Sequence, residues 1–155
     1  MKKNLILILI LYFSLTISSY GAASSSSDSY SNYDKGAYLI KKAKKLEEKG
    51  KIKKANKRYE KALKYLIKSN EEKSNQADTL NYLGFALRKL GNIEEAEKYY
   101  LLGLNIEPEH PGINEYLGEL YIATNRINLA KERLEVLMNC NCEEYNELKE
   151  LIEKN

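Results

Sequence analysis

The sequence predicts an all-α fold, a solenoid of about three helix-turn-helix repeats closed by a C-terminal capping helix. Three observations predict it. Residues 77–110 and 111–144 superpose at an offset of 34, and a weaker copy, 36–69, lies upstream. Within each copy the apolar residues recur at the spacing of a helix face, and Gly or Asn stands where one helix would stop. The chain has 155 residues, 43% hydrophobic and 30% charged, with Gly 8 and Pro 2. That suits one packed core and excludes a collagen-like, disulfide-dense or wholly disordered chain.

The elements follow in order. Lys2 and Lys3 precede an apolar run from Leu5 to Phe13, and Ser18 to Ala23 are small apart from Tyr20. This is the layout of a cleavable signal peptide over 1–23, with Gly21 and Ala23 before a cut after Ala23; a cut after Gly21 is the second choice. The run is shorter than the roughly 20 residues that span a bilayer, which disfavours an uncleaved anchor. The mature chain is therefore expected to be exported, periplasmic or secreted, and not membrane-spanning. Residues 24–35, which begin SSSSDSYSNYD, have no aliphatic periodicity and are expected to be a Ser-rich flexible linker before a repeat domain over 36–155.

Helices are expected near 36–49, 52–70, 77–90, 93–106, 112–124, 127–139 and 144–154. Leu80, Leu83, Gly84, Leu87 and Leu90 make one face; Ile93, Ala96, Tyr99, Tyr100 and Leu104 make the next. Gly91 suits the left-handed residue that ends a helix, and Asn125 holds the equivalent place. Asn92, with Glu95 three residues on, has the spacing of a capping box. Pro108 and Pro111 close the second helix. Upstream, Gly50, Ala55, Tyr59 and Ala62 precede Gly91, Ala96, Tyr100 and Gly103 by 41, one period plus seven residues that the spacing places near Ser69–Gln76. The final helix carries Tyr145, Leu148, Leu151 and Ile152 on one face, as a capping helix requires.

This pattern resembles the tetratricopeptide repeat. Leu83, Gly84, Gly91, Ala96, Tyr100 and Pro108 match that family's motif in the central copy. Leu117, Gly118, Tyr121 and Ala130 match it in the third, while the first copy has Lys42-Ala43 where Leu-Gly is expected. The resemblance implies a right-handed superhelix whose concave groove holds a peptide or helix of a partner protein. Carried onto this sequence, the groove positions are Lys41 and Lys44, with Ile40, in the first copy. The central copy supplies Asp78, Asn81, Tyr82, Phe85 and Arg88, and the third Glu115, Tyr116 and Glu119. Tyr82 and Phe85 equally suit packing within the repeat. The family's clamp for a C-terminal carboxylate is present only in fragments, and Glu115 and Glu119 would repel a carboxylate.

Charge is uneven. Residues 35–73 hold 15 basic and 5 acidic side chains, whereas 74–155 hold 8 and 15. A basic end of this kind suits two solvated helix faces, adsorption to anionic polymer or lipid, or head-to-tail self-association. It lacks the Arg-rich character of a nucleic-acid reader, so no nucleic acid is expected. Cys140 and Cys142 form a C-N-C pair, open to an intramolecular disulfide, to intermolecular pairing or to free thiols. The run Cys140-Asn-Cys142-Glu-Glu-Tyr145 resembles the C-terminal end of some exported bacterial tetratricopeptide proteins. Two sulfurs do not complete a zinc site, so no metal is expected. The single His, His110, reads as an exposed turn residue without a nucleophile at hand. No phosphate loop, nucleophile elbow or convergent carboxylate pair occurs, so no cofactor, catalytic residue or enzyme activity is expected. The expected function is a protein-binding scaffold; the alternative is an envelope protein adsorbed through its Lys-rich first repeat.

Overall fold

The computed structural model describes residues 30–155, so the signal peptide expected over 1–23 and the expected linker up to residue 29 lie outside the described residues. Seven helices and no strand occur among the described residues. They are α1 (Asn32–Glu47), α2 (Ile52–Glu72), α3 (Ala77–Lys89), α4 (Ile93–Ile106), α5 (Pro111–Ala123), α6 (Ile127–Leu137) and α7 (Glu143–Glu153). Three antiparallel hairpins, α1–α2, α3–α4 and α5–α6, stack in sequence order, and α7 lies against the last. Alternate helices α1, α3, α5 and α7 also touch in succession, which makes them one continuous layer.

One device turns the chain inside each hairpin. Gly91 has φ 87°; its N–H donates to the Arg88 carbonyl at 3.0 Å, and the Asn92 N–H donates to the Leu87 carbonyl at 2.9 Å. These bonds satisfy carbonyls that a helix end leaves without partners. Gly50 and Asn125, with φ 67° and 60°, hold the same place in the other hairpins. The capping box expected at Asn92 does not form, because its side chain makes no capping bond. Glu94 and Glu95 supply the favourable charge in that first turn instead.

The seven additional residues of the first repeat form helix, not loop. α2 has 21 residues and α4 has 14, while residues 73–76 and 107–110 are links of equal length. Seven residues are close to two helical turns. The buried face therefore continues in register through Ala55, Tyr59, Ala62, Leu66 and Ser69. A longer α2 exposes its added face unless α1 lengthens too, and α1 begins at Asn32 where 36 was expected. The end of the expected flexible linker is therefore ordered. The Ser31 hydroxyl accepts the Asp34 N–H, and the Asp34 carboxylate accepts the Ser31 N–H, both at 3.1 Å. Asn32 Nδ2 donates to Glu72 Oε1 at 2.6 Å and ties the two extended ends together.

The core repeats with the hairpins. Ala55, Ala96 and Ala130 are fully buried, as are Tyr59 and Tyr100. The capping helix closes the row through Leu148, also fully buried. A Cβ on Gly118 would lie 2.6 Å from a Leu148 methyl, so the absence of one lets α7 seat against α5. His110 corrects the expectation of exposure. It is 8% exposed, its Nδ1 accepts the Ile113 N–H at 3.2 Å as the cap of α5, and its Nε2 lies 3.2 Å from Asp78 Oδ1. Pro111 opens α5, where its missing N–H leaves no bond unmade. Cys140 and Cys142 are paired in a disulfide in this structure, and Asn141 between them takes φ 50°.

Candidate partner-binding groove

The layer of α1, α3, α5 and α7 places the expected groove residues on one side, but it uses them differently. Lys41 and Lys44 of α1 are exposed. Tyr82 of α3 and Tyr116 of α5 are half-buried, and with Lys41, Lys44, Lys45 and Glu48 they line a cavity of about 280 Å³. Tyr33 stacks beside Tyr82 with ring centroids 5.9 Å apart. Burial and the nearby Asp78 carboxylate hold the Tyr33 hydroxyl protonated up to about 12.

Phe85 is not a groove contact. It is 2% exposed and packs edge-on to Tyr59 at 5.9 Å and against Tyr116 at 4.7 Å. Of the alternatives open for Tyr82 and Phe85, packing within the core holds for Phe85, while Tyr82 reaches the cavity. The chain thereby obtains a rigid aromatic floor beneath the cations. Lys44 Nζ sits 5.6 Å from the Phe85 centroid and 5.7 Å from that of Tyr116, within 3.5 Å of the Tyr116 hydroxyl. The Arg88 guanidinium lies 5.5 Å and 5.7 Å from the same two rings. A cation over a ring face is attracted by its quadrupole, so both side chains are oriented before any ligand arrives.

Toward α7 the groove turns acidic and inward. Arg88 is bound to Glu119 at 2.6 Å, with only 12% of its side chain exposed. Glu115 is buried, and burial raises its carboxyl to about 9, helped by the facing carboxyl of Glu147 on α7 and by Glu119. Glu115 is thus neutral at physiological pH. Its burial, and the commitment of Glu119 to Arg88, remove both from the set that meets a partner. Asn81 is buried between α3 and α5, 7% exposed, and its Oδ1 has no partner within the protein. Asp78 is exposed and directed at His110. Sequence reasoning missed Tyr33 and Glu147. The Ser31-x-x-Asp34 capping spacing, unused in that reasoning, could have found Tyr33, because it starts the helix early; no sequence signal could have found Glu147. Among the described residues no group of His, Cys, Asp and Glu is arranged to hold a metal, and no helix is long and apolar enough to cross a membrane.

Residues 77–110 match the family model for the tetratricopeptide repeat. Among solved structures, a tetratricopeptide repeat protein from Parabacteroides merdae shares the fold at TM-score 0.55 and 17% identity, covering 77% of this chain. This chain spans 59% of the length of that relative. The type III secretion translocator chaperone SycD of Yersinia enterocolitica gives TM-score 0.55 at 18% identity, covering 76% of this chain and 81% of SycD. The first tetratricopeptide domain of Spaghetti (RPAP3), bound to the HSP90 peptide SRMEEVD, gives 0.55 at 20%, covering 80% and 95%. No curated protein matches the sequence. Hairpin stacking, left-handed turn residues and the central motif agree with these likenesses: residues 77–110 match a tetratricopeptide repeat, and the described residues fold as an all-α solenoid of helical hairpins around it.

Proposed function

We propose that this protein is an exported scaffold that holds a segment of a partner protein in its inner groove, without catalysis. The observation that carries the reading is the cavity under α1, lined by Lys41, Lys44, Tyr82 and Tyr116, of which the last three are ordered by aromatic neighbours yet not consumed by the core. Tyr is among the residue types enriched where binding energy concentrates. Two structural relatives support a scaffold, one solved with an HSP90 peptide and one a secretion chaperone. The leader read at 1–23 adds export to the proposal, to the periplasm or the medium.

A photoreactive amino acid at Lys41, on the inner side, is compared with one at Lys98, whose side chain on α4 is 70% exposed. The expected result is a discrete protein adduct from Lys41 in the native cell and none from Lys98. Equal labelling from both positions overturns the groove. N-terminal sequencing of exported protein is expected to begin at Ser24; a chain retaining Met1 and staying inside the cell removes export from the reading.

The excess of unpaired lysine in the first repeat favours a second reading, adsorption to anionic polymer or lipid. Its signature is retention on the cell envelope that falls steeply with salt, since exposed charges are screened. Retention unchanged by salt rejects it.

A further inference from the structure

The positive charge of the first repeat is not spread evenly over its surface. Lys42 and Lys45 of α1, Lys49 and Lys51 of the turn and Arg58 of α2 line one cavity of about 420 Å³, with Tyr38 and Leu46 as its apolar wall. Among the described residues none of the five cations is within ion-pair distance of a carboxylate, whereas Arg88, Lys89 and Arg126 each have one. Lys42 is positioned by the Tyr38 ring, 5.2 Å from its centroid.

Folding does not explain the arrangement. Lys42 and Lys45 stand three residues apart on one face of α1, where like charges repel, and Lys49 follows in the turn. Lys51, Lys53 and Lys54 crowd the start of α2, the positive end of its dipole, where acids are favoured and none is present. Lys45, in the last turn of α1, does suit the negative end of that helix. The other four cations have no such account. A concave site walled by five uncompensated cations is relieved by an anion of more than one charge. Four of the five are lysines, compact point charges that follow clustered phosphates without demanding a planar, bidentate partner.

We propose that this cavity is a binding site for a ligand carrying two or more closely spaced phosphate groups, whose carbon skeleton lies on Tyr38 and Leu46. The site shares only Lys45 with the inner-face cavity. It sharpens the second reading above, from diffuse adsorption to a defined pocket, and rests on that reading only for the sign of the ligand.

The test uses the purified protein and tripolyphosphate by calorimetry, with a parallel arm of phosphatidylcholine vesicles with and without phosphatidylglycerol. Two doubly substituted variants carry the same change of charge. Lys49→Glu with Arg58→Glu lies in the cavity; Lys61→Glu with Lys68→Glu lies in the same repeat outside it, and all four residues are exposed. Saturable one-to-one binding, weakened about tenfold or more in the first variant and less than about threefold in the second, is expected. Equal weakening in both, or vesicle binding with no tripolyphosphate binding, overturns the pocket while leaving diffuse adsorption standing. Salt-independent vesicle retention rejects diffuse adsorption alone. A dimer that dissociates in the Lys49→Glu, Arg58→Glu variant identifies the occupant as the acidic half of a second copy and also overturns the proposal.

Discussion

The two ends of the inner face differ in what they do with charge. At the α1 end, Lys41 and Lys44 stand exposed above an aromatic floor that holds Lys44 without neutralising it. At the α5–α7 end, Glu119 is bound to Arg88, and Glu115 is buried against Glu147. Equivalent faces of successive repeats thus serve opposite purposes. One end keeps its charge available to a partner; the other converts it into contacts that join α3 to α5 and α5 to the capping helix. A groove residue inferred from repeat register alone is therefore a candidate for either role, and burial decides between them.

Substitution separates the two ends. The largest effect is expected for Leu148→Ala, which removes the buried anchor of α7 and leaves a hole beside Gly118. A loss of about 2–5 kcal/mol by urea unfolding is expected. A loss below about 1 kcal/mol would show that α7 is not part of the cooperative unit. Arg88→Ala follows, at about 1–3 kcal/mol, because Glu119 is left half-buried beside Glu115 without its cation. A variant as stable as the parent breaks the claim that this end is structural.

The Glu115 carboxyl sets a pH signature for the acidic end. In the unfolded chain a Glu titrates near ~4.3. In the fold Glu115 keeps its proton up to about 9. The folded state thus binds more protons across that window. Its contribution is complete below ~4.3 and is lost as pH rises through the folded value. Unfolding of the parent is expected to become easier by a few kcal/mol from acid toward pH 9, and Glu115→Gln to flatten that decline. Parallel declines in the two proteins would sink the assignment.

At the other end, Lys44→Glu is expected to change stability by no more than about 0.5 kcal/mol, as for an exposed charge, while abolishing the adduct from Lys41. Unchanged capture with unchanged stability removes Lys44 from the site. Cys140→Ser with Cys142→Ser is expected to leave capture unchanged and to cost no more than about 1–2 kcal/mol by urea unfolding, because a bridge between residues two apart closes a very short loop.

Much of the fold was legible. Gly50, Gly91 and Asn125 all take the left-handed conformation, and the helix boundaries fall within a few residues of those expected from apolar spacing. The extension of α2 was not, because a seven-residue insertion preserves helical phase and looks the same as loop in an offset count. Nor was the start of α1, where Tyr33 and Gly36 carry no aliphatic pattern; Tyr33 stacks on Tyr82 of α3, and Gly36 docks against the lengthened α2, where a Cβ on it would meet Leu66 at 2.6 Å. Of the groove residues, register placed all of them on the inner layer. It did not separate exposed Lys41 from buried Glu115 or Phe85.

The sequence by itself determined the repeat, its period, the turn residues and the polarity of charge along the chain. These are local properties, written in spacing and in the few residues that tolerate a left-handed backbone. Tertiary structure alone decided which inner-face side chains stay available. Burial depends on what the neighbouring repeat and the capping helix lay over each position, and those neighbours lie tens of residues away along the chain. The same carboxylate is a ligand contact in open solvent and a protonated, buried fastener beneath α7.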